Sequence, residues 1–375
     1  MQLTSVELRH ITMPLRSPFT TSFGTEEEKI ALLVRVAGEL RTPTGTVEVT
    51  GWGECVAMAE PVYSAEYLTG AHEVLRRFLL PAFFRAEEVT AETCAALGAG
   101  VVGHPMAKAA LEMAVLDAEL TGRGVSLAEY LGAQRRRVPS GVSVGIQPSV
   151  ATLIDVVADY LEQGYARIKL KIQPGWDVEP VRAVRARFGD IPLQVDANAA
   201  YTLADADLLR RLDDFGLLLV EQPLAHDDLR QHAELAQLLR TPICLDESIT
   251  SVRAAADAIA LRATRVINIK PGRVGGYLEA RRIHDLCRAH GVPVWCGGML
   301  ETGLGRAANV ALAAMPGCTL PGDVSGSDRF YARDLTEPVV MRGGSVEVPQ
   351  APGLGRIPLP DRLAEFSTSV ETVRR

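Results

Sequence analysis

The feature that most constrains this chain is a series of short apolar runs, rich in β-branched residues, recurring every 23–28 residues from about residue 140. They begin near residues 140, 166, 192, 217, 242, 265, 293 and 318. Amphipathic stretches lie between them, among them 151–162, 203–212 and 254–261. Strands alternating with helices read as parallel βα units. Eight at this spacing fit a closed (β/α) barrel better than an open doubly wound sheet. The Gly-rich turn of dinucleotide-binding sheets is missing, because Gly272-Arg273-Val274-Gly275-Gly276 lacks its spacing.

The first 130 residues show another pattern. Runs at 2–13, 29–37 and 46–51 read as antiparallel strands, and 64–84, 88–98 and 104–121 as helices, giving an α+β domain. Segment 338–348 reads as a hairpin around Gly343-Gly344. The expected division is an α+β domain over 1–130, a barrel over 131–330, and a C-terminal segment, 331–375, that packs back on the first domain.

Composition excludes several function classes. The 39 basic and 46 acidic residues leave a net charge of −7, without the basic signature of a nucleic-acid binder. The run Arg135-Arg136-Arg137 reads as a solvated linker. No stretch approaches 18 apolar residues, so no membrane span is expected. Glu7 and Arg9 precede any long apolar run, unlike a secretory signal. The six cysteines form no C-x-x-C pair, so the expected compartment is a reduced cytoplasm.

Only five of the 39 basic residues are lysines: Lys29, Lys108, Lys169, Lys171 and Lys270. Arg stays charged, whereas Lys can lose its proton at a tuned pKa and act as a base. Lys29 has no assigned role, and Lys108, in a helical pattern, is expected to face solvent. The other three fall at barrel strand ends, where active sites of such barrels lie. Reading those ends gives Lys169 and Lys171, then Asp196, Glu221, Asp246 and Lys270. Three acids at one mouth repel unless a cation sits between them, and all-oxygen ligation favours Mg²⁺ or a similar hard ion. Divalent charge and partial burial would lower an ammonium pKa, so that a neutral Lys could take a proton α to a carboxylate. Lys171 and Lys270 come from roughly opposite sides of the barrel, and two bases on opposite faces of one carbon can invert it. Lys169 is expected to pair with a metal-ligand acid and orient Lys171.

These residues sit in Lys169-Leu170-Lys171, Asp196-Ala197-Asn198, Glu221-Gln222-Pro223, Asp246-Glu247-Ser248, the stretch from Asn268 to Gly276, and Gly298-Met299-Leu300-Glu301-Thr302-Gly303. Together they resemble the enolase superfamily, in its muconate-lactonizing subgroup. The resemblance spans nearly the whole chain, to the late Pro352-Gly353-Leu354-Gly355. It implies a (β/α)7β TIM-like barrel with an α+β N-terminal capping domain. It implies Asp196, Glu221 and Asp246 as ligands of Mg²⁺, with Mn²⁺ and Co²⁺ as alternatives, and Lys171 and Lys270 as the acid/base pair. It also implies a small-molecule carboxylate substrate and a homo-oligomer, octamers being frequent among such proteins. Specificity would come from the cap, with Phe19, Phe23 and Met58 as candidates and Gly24 as a lid hinge. At the barrel mouth the candidates are Ser143, Asn198, Gly298, Met299 and Asp323.

Within the subgroup, Gly51-Trp52-Gly53-Glu54-Cys55-Val56-Ala57 and Pro321-Gly322-Asp323-Val324-Ser325 are most similar to N-acylamino acid racemases and their relatives, the o-succinylbenzoate synthases. Dipeptide epimerases of the subgroup usually carry Asp-x-Asp after the eighth strand. Asp323-Val324-Ser325 lacks the second acid, which disfavours a free-amine substrate. The resulting expectation is racemisation of N-acylated amino acids with apolar side chains. Synthesis of o-succinylbenzoate is the second or additional activity, muconate cycloisomerisation the third, and a non-catalytic barrel the contrasting class.

Overall fold

The computed structural model describes residues 1–22, 24–43 and 45–375. Seven of the eight apolar runs form one parallel sheet in strictly sequential order. Its strands are Gly141–Val144, Arg167–Lys171, Leu193–Asp196, Val220–Glu221, Ile243–Leu245, Val266–Ile269 and Val294–Cys296. Each is buried along nearly its whole length, as strands with helices outside them must be. The run near 318 forms no regular strand, which corrects the expectation of eight. It makes two single bridges instead, Val294↔Cys318 to the seventh strand and Ser140↔Gly322 beside the first. Pro321 has no N–H to donate, so the ladder cannot run through it. Backbone bonds Gly141 N to Gly322 O (2.8 Å) and Asp323 N to Cys296 O (2.9 Å) still draw the first and seventh strands together through this segment.

A four-stranded antiparallel sheet precedes the barrel. Its order is Ser367–Arg374, Gln2–Thr21, Gly24–Thr42, Gly45–Cys55, so the C-terminal tail adds the edge strand. Alternation puts Val6 and Leu8 on one face and Ile11 and Met13 on the other, and the two pairs are buried in different cores. The helix Pro105–Arg123 packs across this sheet, starting at Pro105, whose missing N–H costs nothing there, and ending at the left-handed Gly124. Glu66 accepts its first free amides, Met106 N and Ala107 N, both at 2.8 Å. A Cβ on Gly51 or Gly53 would collide with the backbone of Ala110, Ala114 or Ala118, so glycine permits the close strand–helix contact there. Lys108 lies on this helix but is half-buried, and its ammonium donates to Val101 O rather than facing solvent.

The expected helix over 64–84 begins at Leu68 and is broken by a π-turn, Leu75–Leu79, before Leu80–Arg85. Pro81 lacks the N–H that an unbroken α-helix would direct at Arg77, and the wider turn absorbs the loss. The expected helix over 203–212 is helical only over Ala206–Arg210, with 3₁₀ turns on either side. Around Gly343-Gly344 the strands Met341–Arg342 and Ser345–Glu347 pair as a hairpin and add to Arg137–Pro139. Of the three arginines at 135–137, Arg136 and Arg137 are exposed, as expected of a solvated linker, while Arg135 is half-buried; they donate to Gln350 Oε1, Arg342 O and Cys318 O respectively.

Buried carboxylates from the cap close onto barrel helix N-termini. Glu54 accepts from Thr302 N (3.0 Å), Thr302 Oγ1 (2.8 Å) and Gly305 N (3.0 Å) at the start of Gly303–Ala313. Glu112 Oε1 accepts from Tyr277 N (2.5 Å) and Leu278 N (3.2 Å) at the start of Tyr277–Ala289. Free amides and the helix dipole make both ends good hosts for an acid. All six cysteines are free and buried. No helix among the described residues is long and apolar enough to cross a membrane.

Candidate active site

The strand ends bring the expected ionisable residues into one buried cluster. Lys169 and Lys171 leave the second strand on the same side, as residues i and i+2 do. Lys169 Nζ reaches Asp196 Oδ2 at 3.2 Å, Glu221 Oε2 at 3.0 Å and Asp323 Oδ2 at 2.8 Å. Its other face lies 4.8 Å from the centre of the Trp295 ring. Lys171 Nζ donates to Asp196 Oδ2 (2.7 Å) and Asn198 Oδ1 (2.6 Å). From the sixth strand, Lys270 Nζ stands 2.7 Å from Asp246 Oδ2, 3.3 Å from Tyr63 OH and 3.6 Å from Met299 Sδ. Arg273, one helical turn on, donates to Asp246 Oδ1 and to Asn268 O (2.6 Å).

Burial and charge oppose each other here. Burial works against the Lys169 ammonium, but Asp323, Glu221 and Asp196 outweigh it and hold its pKa well up. Burial likewise opposes the Lys270 charge, and Asp246 more than compensates. Asp246 is pulled far below the carboxylate range by Lys270 and Arg273, against the cost of burial. Glu221 goes the other way, pushed well up by burial and then by the charge of Asp196.

Asp196 and Glu221 are register partners on adjacent strands, and Asp246 comes just after the next strand. As they stand, no three acidic, His or Cys side chains among the described residues converge closely enough to chelate an ion. Lysine ammoniums lie against the carboxylates instead. The donor set nevertheless has the chemistry of a hard-cation site, with buried oxygens whose charges repel one another. Asp246 Oδ2, although ion-paired to Lys270, receives no well-formed hydrogen bond, and neither does Glu247 Oε2. These residues fit a divalent cation.

The motif backbones are held in an unusual state. Asn198, Ala199, Gln222 and Leu300 have φ of 42°, 61°, 36° and 56°, four of the six non-glycine residues with positive φ among those described. Such strain persists where the surroundings over-determine it. Gln222 shows how: its Oε1 accepts from Asp246 N (3.0 Å) and Ser248 N (3.2 Å), fastening the fourth strand's end to the fifth's.

A cavity of about 90 Å³ lies over Lys169, Lys171 and Lys270. Phe19 and Met58 reach it from the cap, and Ser143, Asn198, Gly298, Met299 and Asp323 from the barrel. Asp323 is also an internal strut, bonded to Arg167 Nη2 (2.8 Å) as well as Lys169. Phe23 lies outside the described residues. The sequence reading missed several wall residues: Tyr63, Lys29, Arg306, Arg329 and Phe330. Lys29 is buried and donates to Met299 O at 2.9 Å. The scarcity of lysine singled it out, but its place on an early strand gave no route to the barrel mouth. Gly24, the supposed hinge, starts the second strand in a conformation with φ 153° that favours glycine.

Comparison with known proteins points the same way. Residues 3–132 match the family model for the mandelate racemase / muconate lactonizing enzyme N-terminal domain, and residues 152–361 the enolase C-terminal domain-like model. An N-succinylamino acid racemase from Amycolatopsis sp. is 62% identical, the alignment covering 98% of each chain. An o-succinylbenzoate synthase from Geobacillus stearothermophilus is 50% identical over 93% of this chain and 92% of its own. The crystal structure of an enolase-superfamily member from Listeria innocua superposes with a TM-score of 0.93 at 38% identity, covering 100% of this chain and 99% of that one. With both family models and full-length relatives in agreement, this chain belongs to the enolase superfamily, in the mandelate racemase / muconate lactonizing enzyme family.

Proposed function

We propose that the protein racemises N-acylated amino acids, removing the α-proton with one lysine and returning a proton to the opposite face with the other. The observation that carries this reading is the pair Lys171 and Lys270. They enter one cavity from the second and sixth strands, each 2.7 Å from a strand-end carboxylate. Two basic groups on either side of one carbon are what inversion requires. In one direction Lys171 takes the proton and Lys270 delivers one; in the other the roles exchange.

Members of this superfamily generally use a divalent metal. Asp196, Glu221 and Asp246 would hold it here. When bound, it would supply positive charge that engages these carboxylates and balances the charge developing on the substrate carboxylate. Asn198 holds Lys171 through a 2.6 Å bond, and Tyr63 and Met299 flank Lys270, so both ammoniums are oriented before substrate arrives. Phe19 and Met58 close the cavity from above and keep water from the reacting carbon. The name of the Amycolatopsis relative supports the N-acyl substrate class.

The second reading is o-succinylbenzoate synthesis, favoured by the Geobacillus relative. A synthase needs one base and one fixed positive charge. The test is incubation with N-acetyl-L-methionine in D₂O, with and without Mg²⁺, monitoring the α-proton by NMR and chirality by chromatography. Metal-dependent exchange with appearance of the D-enantiomer is expected. Exchange with retained configuration would favour the synthase, and no exchange would remove the N-acyl reading.

A further inference from the structure

The two lysines of the proposed reaction are held by different parts of the molecule. Lys171 is oriented by barrel side chains, Asp196 at 2.7 Å and Asn198 Oδ1 at 2.6 Å. A bond from the cap, Ser22 Oγ to Asn198 O at 3.4 Å, meets the backbone and not the amide that holds the lysine. Lys270 has a barrel partner too, Asp246 at 2.7 Å, but its other contacts depend on the cap. Tyr63, on the cap segment after Gly45–Cys55, brings its ring centre to 4.9 Å from the ammonium and its hydroxyl to 3.3 Å. Met299 belongs to the barrel, yet it packs against the cap's hydrophobic core and brings its Sδ to 3.6 Å.

The backbone at Met299 has little support of its own. Residues 297–302, after the seventh strand, form neither helix nor strand, and Leu300 is held at φ 56°. Backbone in that region keeps its place only where the surroundings fix it. Here Tyr331 OH donates to Leu300 O, and Glu301 Oε2 accepts from Met299 N at 2.9 Å. The Met299 carbonyl is taken from the cap, by Lys29 Nζ at 2.9 Å, on the strand Gly24–Thr42. A bond from an ammonium is stronger than one from a neutral donor. Lys29 is only 4% exposed, so solvent is poorly placed to replace it. Its charge has buried company in the cap: burial pushes the carboxyls of Glu54 and Glu26 up, and Lys29 is the first group to pull each back.

We propose that Lys29 is a positioning residue for Lys270. Its bond to the Met299 carbonyl fixes the loop whose thioether limits where the Lys270 ammonium can swing, so that the cap aligns one base and leaves the other to the barrel. Loss of that bond impairs proton transfer through Lys270 more than through Lys171. This rests on the two-lysine reading and assigns the two bases to different domains.

Washout of the α-proton separates the bases, because it needs only one of them. A lysine amine takes the proton, the ammonium trades hydrogen for deuterium with solvent, and a deuteron returns to the same face of the carbon. The experiment measures washout from N-acetyl-L- and N-acetyl-D-methionine in D₂O with Mg²⁺. It uses Lys171→Ala, where Lys270 carries the exchange, and Lys270→Ala, where Lys171 does, each with and without Lys29→Met. Lys29→Met should slow washout roughly 10- to 100-fold more in the first background than in the second, as misplacing a reacting group by about 1 Å does. Met299→Ala, which removes the link and not its anchor, should show the same bias. A merely structural role would slow both backgrounds equally. Equal slowing, or none, overturns this proposal and leaves the two-lysine reading standing. Absence of washout from both single-lysine variants with Lys29 in place overturns that reading and this proposal together. If Lys29→Met fails to fold, the bias of Met299→Ala decides.

Discussion

Replacing Glu112 by Gln should make the protein more stable at neutral and alkaline pH and leave it unchanged in acid. Glu112 is buried between cap and barrel, and burial pushes its carboxyl up to about 8, against the pull of Leu278 N and Tyr277 N. In the unfolded chain it titrates near 4.5. Below 4.5 both states hold the proton, and the group adds no pH dependence. Between 4.5 and 8 only the folded state holds it, so stability falls as pH rises, and above 8 the loss is complete. The interval of about 3.5 pH units corresponds to about 5 kcal/mol at 1.36 kcal/mol per unit, and to about 3 kcal/mol at pH 7. Both backbone bonds fall on one oxygen, Oε1, so the Gln carbonyl can accept them while its amide takes the place of Oε2. The variant thus removes the ionisation without removing the cap. Calorimetric melting of both proteins at pH 5, 7 and 8.5 would give the difference. A gap that widens with pH is expected. A gap that stays constant, or a variant less stable at pH 8.5, would refute the reasoning.

The remaining predictions concern the site and the strand–helix contact. Lys171→Ala and Lys270→Ala should each lower racemisation by at least about 10³-fold with circular dichroism unchanged, consistent with loss of a proton-transfer group; racemisation retained in either variant would reject the two-base scheme. Each should still wash out the α-proton of one enantiomer in D₂O, through the lysine that is left. Glu221→Gln should shift the Mg²⁺ titration of activity to higher concentration, and an unchanged titration would remove Glu221 from the ligand set. Gly53→Ala should cost about 1–3 kcal/mol by overpacking against the helix backbone, read as a lowered Tm.

The period of the apolar runs made the barrel legible because each strand must be apolar on both faces and each helix on one, a pattern that survives any choice of surface residue. The period alone also overcounted. The run at 318 has the right composition, but Pro321 breaks the ladder, and closure there depends on two single bridges that no spacing reveals. Lys171, Asp196, Glu221, Asp246 and Lys270 were legible because a strand's end is a fixed address in a parallel barrel. Arg329 and Tyr63 were not, since their approach to the cavity depends on how loops fold across it. The π-turn at Leu75–Leu79 arises from Pro81, a local signal outweighed by the apolar pattern around it.

The division of labour in this fold explains how one site could support both racemisation and dehydration. On the proposed mechanism the strand ends would fix the first step, since Lys171, Lys270 and the three carboxylates are positioned by the sheet and by side chains such as Gln222 that lock its ends. The fate of the deprotonated substrate depends on the cavity wall, supplied by Phe19, Tyr63, the loop at Met299 and the segment at Arg329. Lys29 and Glu54 fasten the cap to the stretch from Met299 to Gly305, so the cap contributes to the position of that wall as well as covering it. A substitution in the cap can therefore change which substrate is held without disturbing the proton-transfer geometry. Loosening that stretch, by contrast, should alter Lys270 as well, because Met299 touches both the lysine and the wall.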